Sequence, residues 1–248
     1  MRVAVITGGG SGIGAAVAGK LAERGWSCVL VGRREDRLRA TAAKIGGEHE
    51  VCDVADRDAV ERMASAVRER HPEIELLVNN AGVAGRGNFL DLPPERIEEL
   101  VRINYLGSVW CLRAFLPALE AAAPSHLVNV VSVAGTVAVG PYSGSKHAQL
   151  AFSRSVAREL GPRGIHVHTV NPGFVHTEGF PQDWLLRGRY GRAVVGPEYV
   201  AERIVRAVER DRAEIFVPRW YRVAPLAQAL APRLVRKLAG RGIRPAGD

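Results

Sequence analysis

A chain of 248 residues, 47% hydrophobic and 24% charged, can bury one large core, and α/β proteins of this size commonly form a single domain. Its net charge of +8 does not point to nucleic acid: residues 219–248 hold Arg219, Arg222, Arg233, Arg236, Lys237, Arg241 and Arg244 against Asp248 alone, and the remaining body is nearly neutral. The opening MRVAVITGGG runs into a strand without the regions of a secretory signal, and no segment reaches roughly 18 consecutive apolar residues, so a cytoplasmic protein is expected.

Strand-like runs follow in order: RVAVIT at 2–7, SCVLVG at 27–32, EHEVCD at 48–53, EIELLVN at 73–79, HLVNVVS at 126–132, IHVHTV at 165–170 and EIFVP at 214–218. Helical patterns separate them, as βαβ crossovers require, and right-handed crossovers stack such strands into one parallel sheet. The expected fold is α/β, a doubly wound Rossmann-like sheet of about seven strands with helices on both faces. Residues 1–217 are expected to form the body of the domain, and 218–248 a basic amphipathic extension of the same domain. The Gly-rich stretch 179–196 lacks a clean period and is expected to be a loop or lid over a site.

Cys28, Cys52 and Cys111 are far apart and without C-x-x-C spacing, which argues against a disulfide framework or a thiolate metal site. His166 and His168 share one strand face but have no acidic or cysteine companion in sequence, so packing or hydrogen bonding is expected of them and no metal.

Two features carry chemistry. TGGGSGIG at 7–14 places Gly8, Gly12 and Gly14 where the first strand turns into a helix beginning near Gly12; glycines there let backbone N–H groups approach a pyrophosphate. The second strand ends LVGRRED, with Arg33 and Arg34 where an acidic residue would grip the ribose 2′-OH of NAD. A guanidinium fits the 2′-phosphate of NADP in charge and fork geometry, so NADP is expected over NAD.

Later, Tyr142 and Lys146 stand four residues apart in a chain whose only other lysines are Lys20, Lys44 and Lys237. The pattern predicts a helix over 142–160 with Ala148, Ala151, Phe152 and Ser155 on one stripe, so the tyrosine and lysine share a face. A nearby ammonium favours phenolate and lowers the tyrosine pKa, fitting the phenol for general acid/base work.

TGGGSGIG, NNAG at 79–82, Ser132, YSGSK at 142–146 and NPG at 171–173, in this order, resemble the short-chain dehydrogenase/reductase family. The resemblance implies an oxidoreductase moving hydride between NADP(H) and a carbonyl or secondary alcohol. By it Tyr142 is the acid/base, Lys146 lowers its pKa and holds the nicotinamide ribose, Ser132 polarises the substrate oxygen, and Asn104 holds a water of a proton relay. It adds Ser11 and Ile13 to the glycine turn, assigns Asp53 and Val54 to the adenine and Asn80, Ala81 and Gly82 to the adenosine ribose. Pro172, Gly173, Val175 and Thr177 would cradle the nicotinamide.

Two departures qualify the match. The loop VAGTVAVGP between Ser132 and Tyr142 is shorter than the family's usual loop and would reshape the substrate side. The family's DGG-type ending, which builds a tetramer interface, is replaced by EIFVPRWYRVAPLAQALAPRLVRKLAGRG, so a homo-oligomer is implied but not necessarily a tetramer. Leu226, Leu230, Leu234 and Leu238 form a stripe in that ending, with Arg233, Arg236 and Lys237 toward the other side; the helix would pack on its domain or a partner subunit, or lie at a membrane surface. Pro232 would bend it. A hydrophobic, steroid-like or long-chain substrate is expected, with reduction of 3-ketoacyl thioesters on an acidic carrier or a non-catalytic NADP-binding regulator as alternatives.

Overall fold

The computed structural model describes residues 1–85, 87, 89–138, 140–178 and 193–235. Seven strands form one parallel sheet: β1 (Val3–Thr7), β2 (Ser27–Gly32), β3 (Glu48–Val51), β4 (Leu76–Asn79), β5 (Ser125–Val130), β6 (Ile165–Pro172) and β7 (Glu214–Val217), in the spatial order β3-β2-β1-β4-β5-β6-β7. Each strand falls within or beside its expected run, most with trimmed ends. The expected doubly wound α/β fold is therefore the observed one.

Helices α1 (Gly12–Ala22), α2 (Glu35–Ile45), α3 (Arg57–Arg70), α4 (Pro94–Val101), α5 (Gly107–Ala121), α6 (Gly140–Leu160), α7 (Pro197–Glu209) and α8 (Val223–Leu230) complete the described elements. Strand residues alternate between two buried layers: Val3 and Val5 pack with α3 and α5, while Ala4 and Ile6 pack with α1 and α7. Central parallel strands are covered on both faces, which is why they read as near-continuous Val/Ile/Leu runs.

The order of the strands reverses between β1 and β4, and the carboxyl ends there open a crevice. Two glycines shape it. Gly8 has φ +66°, a left-handed conformation, and a Cβ on Gly14 would lie 2.3 Å from the Gly8 carbonyl oxygen. Only glycine lets α1 start this close to β1.

Two local features depart from the periodic reading. Between α4 and α5 the chain makes a π-helical turn, Arg102–Leu106, holding Asn104 at its centre. Beside Leu150 and Leu160, the face that α6 buries holds a set of polar residues, among them Ser145, Lys146, Gln149 and Ser153, while Ala151 and Ser155 of the expected stripe are exposed. Behind that face a row of polar residues crosses the sheet in register. Asn79 donates to Asn129 (3.0 Å), Asn129 to Ser153 (2.9 Å), and Ser153 pairs with Thr169 (2.7 Å).

At the end of the described chain α8 stops at Leu230, just before Pro232, and a further turn runs over 232–235. Proline cannot donate to the preceding turn, which breaks the single helix expected here. Arg236, Lys237, Leu238, Arg241 and Arg244 lie outside the described residues, as does 179–192, most of the expected lid.

Candidate active site

A cleft of about 1390 Å³ runs along the carboxyl edge of the sheet. Of the residues singled out in the sequence, Gly8, Ser11, Gly12, Ile13, Arg33, Arg34, Asp53, Val54, Asn80, Ala81, Gly82, Ser132, Tyr142, Lys146, Pro172, Gly173, Val175 and Thr177 line it. Gly14 and Asn104 do not. Gly14 is where α1 packs against β1, a reason for glycine that involves no ligand.

Asn104 is fully buried behind the wall. Its Oδ1 accepts from Val83 N–H (2.8 Å), and its Nδ2 donates to the Val83 carbonyl (3.2 Å) and to Ser145 Oγ (3.1 Å). It thus ties the segment after β4 to α6, close beneath Gly82, whose hypothetical Cβ would sit 3.1 Å from Asn104 Oδ1.

Ser132 follows β5 and caps the short 3₁₀ turn Val133–Thr136, its Oγ accepting from Ala134 N–H at 3.1 Å. The Tyr142 side chain is hydrogen-bonded to Ser132 as well. The shortened loop therefore still brings serine and tyrosine together. Gly140, at φ +69°, turns the chain into α6 in time.

Lys146 is buried one turn along α6, and its Nζ donates to the Val130 carbonyl (3.1 Å) and to Gln149 Oε1 (2.8 Å). Burial pushes the lysine pKa down to about 7. Burial likewise pushes Tyr142 up to about 12, opposed only by the Ser132 hydrogen bond. The sequence argument had the ammonium lowering the phenol; in the protein alone desolvation is the larger effect, because Lys146 is buried and Tyr142 half-buried, and each setting disfavours the charged form.

At the other end of the cleft the arginines are held loosely. Arg33 lies 3.5 Å from Asp53, Arg34 donates to Ser11 Oγ at 2.8 Å, and Arg34 and Arg37 both face Glu178, at 3.5 and 2.8 Å. These pairs are solvent-exposed and contribute little stability, so the guanidinium groups can be exchanged to another anion. Arg37 was not singled out in the sequence; it lies one helical turn beyond Arg34, and i,i+3 spacing was the available signal.

The cleft also has apolar walls that were missed in part: Val133, Val137, Phe174 and Tyr221 line it. Tyr221 comes from the segment after β7, and a Cβ on Gly173 would lie 1.9 Å from its ring. No local pattern in the sequence connects positions 173 and 221.

The chain matches the family model described as short chain dehydrogenase over residues 2–184. The protein belongs to the short-chain dehydrogenase family. It is an oxidoreductase of that type, and membership of the family supports a nicotinamide cofactor. Among relatives of this short-chain dehydrogenase, the 1-deoxy-11-beta-hydroxypentalenate dehydrogenase of Streptomyces exfoliatus is 34% identical over 227 residues, 87% of this chain and 82% of the relative. The human short-chain dehydrogenase/reductase 3 is 34% identical over 241 residues, 92% and 79% of the two chains. Among solved structures, an actinorhodin polyketide ketoreductase variant with NADPH superposes with a TM-score of 0.78 at 28% identity, covering 87% of this chain and 95% of that one. An alcohol dehydrogenase of Thermococcus sibiricus with 5-hydroxy-NADP gives 0.77 at 28% identity, with the same coverage.

Proposed function

We propose that the protein reduces a carbonyl, or oxidises the corresponding secondary alcohol, on a hydrophobic substrate with NADP(H), Tyr142 serving as acid/base. The observation that carries the reading is the Ser132–Tyr142 hydrogen bond at the end of the cleft where Lys146 is also buried.

The residues suit the cofactor. Gly8, Ser11, Gly12, Ile13 and the α1 N-terminus would take the pyrophosphate, and a Cβ at Gly12 would meet Thr177 at 3.2 Å in the space this approach needs. Asp53 and Val54 would lie at the adenine, Asn80, Ala81 and Gly82 at the adenosine ribose, and Pro172, Gly173, Val175 and Thr177 at the nicotinamide. Arg33 and Arg34, joined by Arg37, favour NADP because their exposed pairs with Asp53 and Glu178 can give way to a 2′-phosphate. When bound, the nicotinamide supplies or accepts the hydride.

In reduction, Tyr142 gives its hydroxyl proton to the carbonyl oxygen as that oxygen gains charge. Ser132 steadies the same oxygen, its orientation set by Ala134 N–H. Lys146 offsets the phenolate left behind and donates toward the ribose hydroxyls. Asn104 fixes the wall between Val83 and Ser145 and supports the relay that returns the proton.

The apolar lining of Val133, Val137, Phe174 and Tyr221 supports a hydrophobic substrate, in keeping with a relative named for a pentalenate. The test is NADPH oxidation against a panel of long-chain ketones, steroids, cyclic terpenoid ketones and 3-ketoacyl thioesters, with NADH in parallel. Tight NADPH binding with no turnover on any of them would favour a non-catalytic binder.

One further observation favours contact with a membrane surface. Leu226, Leu230 and Leu234 point outward at 60%, 84% and 55% exposure, joined by Trp220 at 52%, while smaller Ala224, Gln228 and Ala231 turn toward the domain. Arg219, Arg222 and Arg233 flank that stripe and suit an anionic bilayer. Among the described residues no helix is long and apolar enough to cross a membrane, so the contact would be peripheral. Pelleting with phosphatidylglycerol vesicles that salt reverses is the expected result; dimerisation through the stripe, seen by light scattering without pelleting, would replace the reading.

A further inference from the structure

Gln149 has no place in the chemistry described so far, yet it is fully buried on α6 and its amide touches Lys146. An ammonium offers donors only, so the amide must turn its oxygen toward Nζ. That sends Nε2 toward α5, where Ser108 Oγ accepts it at 2.8 Å. The amide is thereby oriented from both ends, by a lysine that can only donate and by a serine fixed on a different helix. Ser108 is itself buried, and its carbonyl accepts from Asn79 Nδ2 at 3.2 Å, which links this pair to the polar row across the sheet.

The surroundings of Lys146 show why such a group is needed. A buried ammonium without hydrogen-bond acceptors is costly. Val130 of β5 supplies one carbonyl and Gln149 of α6 one amide oxygen, which leaves one proton of the ammonium for the cleft that Lys146 also lines. From the segment after β4 it meets Gly82, where a Cβ would lie 3.6 Å from Nζ. On its own helix Tyr142 is the titratable residue one turn before it, and His147 beside it is exposed to solvent. Among the described residues no carboxylate pairs with Lys146, and burial alone moves its pKa. The charge is therefore held by neutral dipoles, and deleting one removes a large share of what opposes desolvation.

We propose that Gln149, oriented by Ser108, is a positioning residue that keeps the Lys146 ammonium charged and aimed into the cleft. The proposal rests on the reading of Tyr142 and Lys146 as the proton-transfer pair. It assigns to the helix α6 a third functional position, one turn past the lysine, that acts only through it.

With only Lys20, Lys44, Lys146 and Lys237 in the chain, the Lys146 titration can be followed by carbon NMR of labelled lysine side chains, without turnover. Gln149→Leu should move the Lys146 midpoint below its wild-type value by about one unit or more, a tenfold loss of proton affinity. Gln149→Glu should move it upward, because a carboxylate stabilises the ammonium. Ser108→Ala, which leaves Gln149 in place but unanchored, should give a smaller downward shift and serves if Gln149→Leu does not fold. The alkaline limb of kcat/KM for carbonyl reduction should follow in the same order. Midpoints unchanged in all three variants, with only the melting temperature lowered, would reduce Gln149 to a packing residue and overturn the proposal. Midpoints that move while Lys146→Met keeps full turnover would instead sink the proton-transfer reading on which it stands.

Discussion

Strands β5 and β6 have clusters of polar and ionisable side chains at both of their ends, with opposite outcomes. At the carboxyl ends Ser132, Tyr142 and Lys146 face an open cleft. At the amino ends His126, His166 and His168 face one another: His126 Nδ1 and His168 Nε2 are 3.0 Å apart, His168 Nδ1 is 2.9 Å from the Arg212 carbonyl, and His166 meets Asp211 at 2.9 Å. The carbonyl can only accept, so His168 Nδ1 carries the proton, its Nε2 accepts, and His126 donates. Both clusters have displaced pKa values, His126 being pushed down to about 4 by burial. What separates them is closure. The histidine ring nitrogens pair with one another, with the Arg212 carbonyl and with Asp211, whereas Ser132, Tyr142 and Lys146 line a cleft, and a displaced pKa marks a site only when it meets a cavity.

The sharpest way to break this comparison is Tyr142→Phe, which should lower kcat for NADPH-dependent reduction by at least about 10²–10⁴-fold with an unchanged circular dichroism spectrum. Near-normal turnover would put the catalytic end elsewhere. Replacing Arg33 and Arg34 together with alanine should weaken NADPH binding roughly 10- to 100-fold, since hydrogen bonds to charged groups are worth about 1.5–3 kcal/mol, while NADH binding measured by fluorescence titration stays the same. Equal loss for both cofactors would remove the 2′-phosphate assignment.

The closed end should respond in stability alone. His126 and His168 have pKa values below that of a free histidine, so the unfolded chain binds protons that the native state refuses. Their neutral pairing supports the fold fully above about pH 6.5 and loses that support as pH falls toward the folded value of His126, about 4. The melting temperature should drop across that window by calorimetry, and His126→Phe should flatten the drop without changing turnover at pH 7.5. Gly173→Ala, at the open end, should cost about 1–3 kcal/mol as an overpacked position and raise KM, because the new methyl displaces Tyr221. The smallest effect belongs to neither end: Gly19→Ala inside α1, where a Cβ meets nothing within 4 Å, should stabilise by up to about 1 kcal/mol, read from urea midpoints.

The sheet was legible because β-branched runs separated by helical spacing leave few alternatives for a chain of this length. The glycine turn, Arg33, Ser132, Tyr142 and Lys146 were legible because each sits at a strand end or at a fixed helical offset. Three kinds of residue were not. Gln149 was passed over because a helix is read by its apolar stripe, and α6 buries polar residues beside its leucines. Tyr221 reaches Gly173 from 48 residues away, a tertiary contact with no local trace. The histidine cluster was half visible, since the pairing of His126 with His166 across β5 and β6 requires knowing which strands are neighbours. Arg37 belongs with these only in part, as its spacing from Arg34 was there to be used.

The π-helical turn at Arg102–Leu106 makes the length of this segment matter more than its composition. Each residue in a helix accounts for about 100° of rotation. Deleting one residue from the turn would leave α5 helical and rotated. Gly107 would leave Val54, which now approaches its bare Cα so closely that a Cβ would sit 2.8 Å away, and Ser108 would swing off Gln149. Substitutions along α5 can be absorbed one at a time, but a single-codon gain or loss in this turn would detune every position downstream of it at once.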